Sequence, residues 1–124
     1  MNEGLIKSTL ANWLETSLGQ PQVIVLNFSA DFVAGNVITI AIDLETTNPV
    51  TYTTSHSNTL QLFARALQDT NNVFMALVTG PRQITITGAI NGSTYTIFPP
   101  VITGGVSQPT MTLSVTQPAI LVPV

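Results

Sequence analysis

Apolar and polar residues alternate along several short stretches of this chain, and a period of two is typical of a strand with one buried face. In residues 37–42 the three isoleucines fall on one face, while Thr39 and Ala41 fall on the other. Residues 23–28 form a continuous run rich in β-branched side chains, which predicts a buried strand. The same reasoning predicts further strands at 50–54, 73–78, 82–87, 94–98 and around 111–116.

Apolar residues at helical spacing predict two helices, the first of which covers residues 3–18. Its apolar stripe includes Trp13, and Gly19 followed by Pro21 would end the helix. Trp13 has two interpretations, a core anchor or a contact with another subunit. The sequence favours the core anchor and keeps the contact open.

The second predicted helix follows the strand at 50–54. Apolar residues from Leu60 to Leu67 lie at i, i+3, i+4 and i+7, which places them on one face of a helix of about three turns. Asn58, with Gln61 three residues later, fits a capping box. We therefore expect this helix to begin near Asn58 and to end at the polar residues 70–72.

These elements predict an α+β fold, dominated by an antiparallel β-sheet or a small sandwich, with an N-terminal helix and one short helix between strands. The length of 124 residues suits one domain, 1–124. Residues 101–109 are expected to be extended or flexible. Residues 117–124 form an apolar, proline-punctuated tail that is expected to dock on its own sheet or to add to the sheet edge of a neighbour.

Charge is scarce and narrows the possible partners. Charged residues make up 7% of the chain, and its only basic residues are Lys7, Arg65 and Arg82. Binding to DNA or RNA requires several basic side chains against the phosphates, so we expect no direct nucleic-acid binding by one subunit. A surface with so little charge is unusual for a free monomer and suits a subunit covered by copies of itself.

The chain has no cysteine, so disulfides and thiolate metal sites are excluded. No apolar run approaches the ~18 residues of a membrane span. The first residues lack the basic start and apolar middle of a signal peptide. We therefore expect synthesis in a cytoplasm and no membrane partner.

The sequence offers little material for catalysis. His56 is the only histidine, and a catalytic role would require a nucleophile and an orienting acid beside it. Ser55 and Ser57 flank it, but neighbours at a helix start point in different directions. Asp43 and Glu45 could belong to a cation site, but such sites usually include further oxygen ligands, so a solvated connection is favoured. We expect no enzyme, no cofactor and no metal.

Several segments resemble a module of structural proteins of tailed bacteriophages. They are Asn-Val-Ile-Thr from Asn36, the stretch from Val50 to Leu60, the stretch from Val78 to Gly88, and the stretch from Thr103 to Pro109. The N-terminal piece, a short helix with Trp13 followed by Pro-Gln-Val-Ile-Val, is similar to the start of phage neck or tail-terminator proteins.

The resemblance implies a non-enzymatic structural subunit of the virion, in the neck, tail or collar region, made in the cytoplasm of the bacterial host. It implies assembly into a homo-oligomeric ring that docks to other virion proteins. Neck, tail, baseplate and capsid decoration all remain open. The N-terminal helix and the C-terminal tail are the expected interfaces. Arg82 is expected to be a surface residue of the hairpin, and pairing with an acid of another subunit is kept open. The candidate interface residues are Trp13, Arg82, Ile120, Leu121 and Val122.

Two other functions remain as alternatives. A small β-rich adhesin or carbohydrate-binding module would use Thr, Asn and Gln on strand faces to bind sugars. Sugar sites favour exposed aromatic platforms, and aromatic residues are only 6% of the chain, which disfavours this alternative. The other is a hydrolase that uses His56.

Overall fold

A computed structural model describes residues 20–71, 73–89 and 92–121. The predicted helix 3–18 with Trp13, and Val122, lie outside the described residues. Within them the chain forms nine strands and one helix, in this order: β1 (Val23–Phe28), β2 (Val37–Thr39), β3 (Ala41–Ile42), β4 (Glu45–Thr46), β5 (Val50–Thr51), α1 (His56–Gln68), β6 (Val73–Gly80), β7 (Gln83–Gly88), β8 (Val101–Thr103) and β9 (Met111–Gln117).

The largest sheet has the strand order β6-β7-β1-β9, and every neighbouring pair in it is antiparallel. Its register aligns Ile24 of β1 with Ile86 of β7 on one side and with Val115 of β9 on the other. Ile24 and Ile86 are buried, so this face of the sheet is turned toward the core. The α+β class with mainly antiparallel pairing is therefore confirmed for the described part of the chain.

Two smaller sheets complete the fold. Strands β5, β2 and β8 pair antiparallel in that order, and β3 and β4 form a two-stranded hairpin. The predicted strand 37–42 is interrupted at Ile40, because the N–H and the carbonyl of Ile40 both bond to Thr47 at 3.1 and 2.8 Å. Ile38, Ile40 and Ile42 are all buried, as the alternation predicts.

One core links these sheets to the helix. Phe63 of α1 packs edge-on against Phe28 of β1, with ring centroids 6.0 Å apart, and Phe28 contacts Phe32 at 5.0 Å. The predicted apolar stripe of the helix is buried, and the remaining core residues come from β1, β2, β3, β5, β6, β7 and the connections between strands. The helix starts earlier than expected: the Ser55 side chain accepts the N–H of Asn58 at 3.0 Å, so the N-cap is Ser55 and the predicted capping box at Asn58 is wrong.

A buried asparagine joins two connections. Asn36 is 0% exposed, and its Oδ1 accepts the N–H of Val33 at 2.8 Å. Its Nδ2 donates to the carbonyls of Gly104 and Ser107 at 2.8 and 2.9 Å. Gly104 has φ of 75°, and a Cβ there would lie 2.2 Å from the oxygen of Gly35. Part of the segment that the sequence predicts as extended or flexible is therefore fixed, and its first residues form β8.

The region 94–98 is not a strand, contrary to the prediction. Only Ile97 forms a bridge there, to Ile42 of β3. The segment is held by a side chain: the Tyr95 hydroxyl donates to the carbonyl of Ile86 at 3.0 Å. Burial raises the pKa of this hydroxyl well above its usual range. Gly88 lies beneath the ring, and a Cβ there would come 2.5 Å from Tyr95 Cε1.

The first part of the C-terminal tail docks on its own chain. Gln20 and Ile120 exchange two backbone hydrogen bonds of 2.7 and 2.9 Å. The Gln20 side chain also donates to the carbonyl of Pro118 at 2.8 Å. The tail up to Ile120 thus extends the pairing of β1 with β9, while the side chains of Ile120 and Leu121 remain exposed.

Candidate interaction surface

Exposed apolar side chains concentrate along the two outer strands of the largest sheet and the residues after β9. Of the eleven large apolar residues exposed in the described ranges, seven lie there. Large exposed apolar patches mark sites of interaction more often than isolated residues do. The seven residues are Phe74, Met75 and Leu77 in β6, Leu113 and Val115 in β9, and Ile120 and Leu121 after it.

At the outer edge of β9, the N–H and carbonyl groups that point away from the sheet belong to the residues whose side chains face the core. The N–H of Phe28 bonds to Arg82 before β7, while the N–H of Ser29 bonds to Thr110 before β9. Backbone groups alternate sides along a strand, so Thr112 and Ser114 point inward to β1. The backbone groups of Met111, Leu113 and Val115 therefore point away from the sheet, where no strand of the described residues pairs with them.

At the outer edge of β6, core-facing residues also point their backbone groups away from the sheet. The N–H of Ala76 points away from β7 and donates to Oε1 of Gln68, at the end of α1, at 3.2 Å. By the same alternation the backbone groups of Val78 also point outward. Register shifts near both ends of β6 limit its regular pairing to residues 75–78. Among the described strands, none pairs with this edge.

A groove runs between α1 and the edge of β6. It has a volume of about 400 Å³ and is open to solvent along one side. The floor includes Ala76 and Val78 of the strand, and Leu62 and Gln68 belong to the helix wall. The helix wall also includes Asn58, Gln61 and Arg65, so polar and charged side chains line the groove together with apolar ones.

Neither edge has the usual protection against pairing with another chain. Edge strands are normally guarded by charged residues or proline. β6 reads Val-Phe-Met-Ala-Leu-Val-Thr-Gly and β9 reads Met-Thr-Leu-Ser-Val-Thr-Gln, without a charge or a proline in either. In the described residues, β6 is protected by its register shifts and by the Gln68 side chain, which accepts the N–H of Ala76. No described strand pairs with the centre of either edge.

His56 has a structural role at the start of α1. Its Nδ1 accepts the N–H of Phe32 at 2.9 Å, so the proton resides on Nε2, which donates to the carbonyl of Pro81 at 2.6 Å. Ser55, one of the two flanking serines, is engaged as the helix cap. Both ring nitrogens are occupied by backbone groups, and this arrangement ties the loop after β1 to the turn between β6 and β7.

Arg82 lies in that turn and pairs within its own chain. Its Nε donates to Oδ1 of Asp31 at 2.8 Å, and both side chains are half-exposed. The hydrogen bond from Arg82 lowers the pKa of Asp31 below its usual value of 3.8. Arg82 is thus a half-exposed residue of the turn, and the acid that it binds in this structure belongs to its own chain.

The acidic hairpin β3–β4 uses its carboxylates locally. Oδ1 of Asp43 accepts the N–H of Thr96 at 2.9 Å, and Oε2 of Glu45 accepts the N–H of Asn71 at 2.7 Å. In the part of the chain that the structure describes, no group of three or more acidic or histidine side chains could hold a metal ion. The two carboxylates connect the hairpin to the segments before β6 and after β7.

The structure describes three of the five candidate interface residues, Arg82, Ile120 and Leu121. Ile120 and Leu121 are exposed as expected, whereas Trp13 and Val122 lie outside the described residues. Leu77, Leu113 and Val115 were missed. The alternation of Met111, Leu113 and Val115 indicates a strand, but only the sheet order shows that this strand is an edge.

Searches against protein-family models, curated proteins and solved structures returned no match. In the described ranges no helix has the length and apolar character needed to cross a membrane.

Proposed function

We propose that this protein is a non-enzymatic structural subunit that acts by self-assembly. One observation carries the proposal: both outer strands of the largest sheet expose apolar side chains, and neither contains a charged residue. Leu77 is 50% exposed and Val115 57% exposed. A subunit whose edges are covered by other copies would bury these side chains, which a free monomer leaves in water.

The composition supports the same role. Three basic and six acidic residues give a formal net charge of -3 over 124 residues, so charge repulsion between copies is weak. The ion pair of Arg82 with Asp31 and the backbone contacts of Glu45 use part of this charge within the chain. The strands at the two edges carry apolar side chains together with uncharged Thr, Ser and Gln side chains.

The setting we propose is the virion of a tailed bacteriophage, in the neck, tail or collar region. The support is the resemblance of the stretches from Val50 to Leu60 and from Val78 to Gly88 to phage structural proteins. In that setting the partners are further copies of the chain and other virion proteins, and the chain is made in the host cytoplasm. The chemistry at His56 supports a structural role, because both ring nitrogens bind backbone groups.

The test is the absolute mass in solution, measured by light scattering on a sizing column over a range of protein and salt concentrations. We expect one discrete multiple of the 13.2 kDa chain, unchanged by salt, because apolar and backbone contacts are screened little. Negative-stain images should show closed particles of uniform size. A monomer at every protein concentration would refute self-assembly.

A further inference from the structure

The two edges of the largest sheet run in opposite directions. The strand order β6-β7-β1-β9 contains four strands, and each neighbouring pair is antiparallel. A copy placed beside the first would therefore set its β6 antiparallel to β9. This junction continues the alternation of the sheet without a break.

The faces match as well. In an antiparallel ladder, residues directly opposite each other have their side chains on the same face. The outward backbone groups belong to Ala76 and Val78 on β6, and to Leu113 and Val115 on β9. All four side chains lie on the face that carries α1. Hydrogen bonding between these two edges therefore keeps the helices of both copies on one side.

The side chains at the two edges differ in size. Leu113 and Val115 are large, and they are 44% and 57% exposed beyond the cover of α1. On β6 the core-facing position Ala76 is small and lies in the floor of the 400 Å³ groove. One edge thus presents projecting apolar groups, and the other presents a recess beside a helix.

We infer that β9 of one copy adds antiparallel to the β6 edge of a second copy, with Leu113 and Val115 seated in the groove between β6 and α1. This inference rests on the proposed self-assembly and identifies the two sheet edges through which the copies would contact each other. The register that places both side chains over the regular part of β6 pairs Val78 with Leu113, Leu77 with Ser114 and Ala76 with Val115. The incoming carbonyl replaces Gln68 as the acceptor of the Ala76 N–H.

Pairing of like edges would fit the side chains less well. Two β9 strands related by a two-fold axis would bring Leu113 and Val115 of both copies together with no helix above them. Two β6 strands would leave the apolar groups of β9 in water. The β9-to-β6 contact covers both edges, and because it joins two different surfaces it repeats from copy to copy and gives a discrete oligomer when the ring closes.

Engineered cysteines test this contact without background, because the chain has none of its own. In the inferred register Leu77 and Ser114 of neighbouring copies form a non-hydrogen-bonded pair, where Cα atoms lie about 4.5 Å apart, within disulfide range. The experiment oxidises Leu77→Cys/Ser114→Cys at a concentration where light scattering shows the oligomer. Leu77→Cys/Val115→Cys is the matched control, because it moves the second thiol to the opposite face.

We expect a ladder of disulfide-linked multimers on a non-reducing gel for the first variant and no ladder for the control. Neither single variant, Leu77→Cys or Ser114→Cys, should cross-link. Dimers from one single variant would show pairing of like edges and overturn the inference. Oligomers by light scattering that give no cross-link would place the contact elsewhere on the chain. They would overturn the inference and leave self-assembly standing, whereas a monomer refutes both.

A second variant reports on the seated side chain. Leu113→Lys places a charge in the groove, and we expect it to raise the concentration of half-association by about tenfold or more. Val106→Lys is its control, because Val106 is 96% exposed in the loop before β9 and adds the same charge away from both edges. Circular dichroism checks that both variants keep the fold. Equal association of the two variants would contradict the seating of Leu113.

Discussion

Replacing Asn36 by alanine should destabilise the fold strongly for a single polar substitution. The side chain is fully buried and makes three hydrogen bonds, to the N–H of Val33 and to the carbonyls of Gly104 and Ser107. One such bond contributes about 0.5–1.5 kcal/mol net. The three together are therefore worth about 3 kcal/mol, and alanine leaves their backbone partners without a protein group to bond.

The measurement is urea unfolding followed by circular dichroism. Protein concentration must be held constant, since association of the folded state adds to the apparent stability. The expected loss of about 3 kcal/mol corresponds to a fall in Tm of about 10 °C for a domain of this size. Asn48→Ala is the matched control, because Asn48 is exposed and the change of side chain is the same.

The two variants should differ clearly. Asn48→Ala is expected within about 0.5 kcal/mol of the wild type, as is usual for exposed positions. If Asn36→Ala lost no more free energy of unfolding than its control, the hydrogen bonds of Asn36 to the two connections would contribute nothing to stability. Such a result would refute the assignment of the segment from Gly104 to Ser107 as a fixed part of the fold.

Two further substitutions test other parts of the described structure. Gly88→Ala should destabilise the fold by about 1–3 kcal/mol, because the added methyl group would lie 2.5 Å from the Tyr95 ring. If this clash is the cause, Gly88→Ala/Tyr95→Ala should be as stable as Tyr95→Ala alone. A Gly88→Ala variant as stable as the wild type would refute the clash. Asp31→Asn tests the ion pair with Arg82. The lowered pKa of Asp31 means that its stabilisation is complete above the unfolded pKa near 3.8 and is lost as the pH falls through the folded pKa. The difference in the free energy of unfolding between the wild type and Asp31→Asn should therefore shrink on acidification. A difference that does not change with pH would contradict the pairing.

Individual strands and helices could be predicted where the pattern of apolar and polar residues has a single interpretation. The run of β-branched residues at 23–28 gives β1 with the predicted bounds, and the stripe from Leu60 to Leu67 gives the buried face of α1. The start of α1 was misplaced because two capping patterns overlap. Ser55 precedes Asn58 by three residues, so either could begin the helix, and the structure selects Ser55 by its bond to the N–H of Asn58.

The predicted strand at 94–98 failed for a different reason. Its sequence suits a strand, but Pro99 and Pro100 follow it and cannot donate to a ladder. The segment is held instead by the Tyr95 hydroxyl, by side chains that accept the N–H groups of Tyr95 and Thr96, and by one bridge from Ile97 to Ile42. Such contacts between distant residues leave no periodic signal in the sequence. The roles of Asn36 and His56 were hidden in the same way, because all their partners except Val33 are backbone groups remote in the chain.

The candidate contact surface depends on strand order more than on strand composition. None of the four strands of the largest sheet contains a charged residue, so composition alone cannot distinguish an edge from a centre. The apolar residues of β1 and β7 that face the core are covered, and each of these two strands pairs with a neighbouring strand on both sides. Among the described strands, β6 and β9 receive this pairing on one side only. A strand suited to the centre of a sheet can pair with another chain where one of its sides is unpaired, and these two edges run in the directions that let one copy pair with the next.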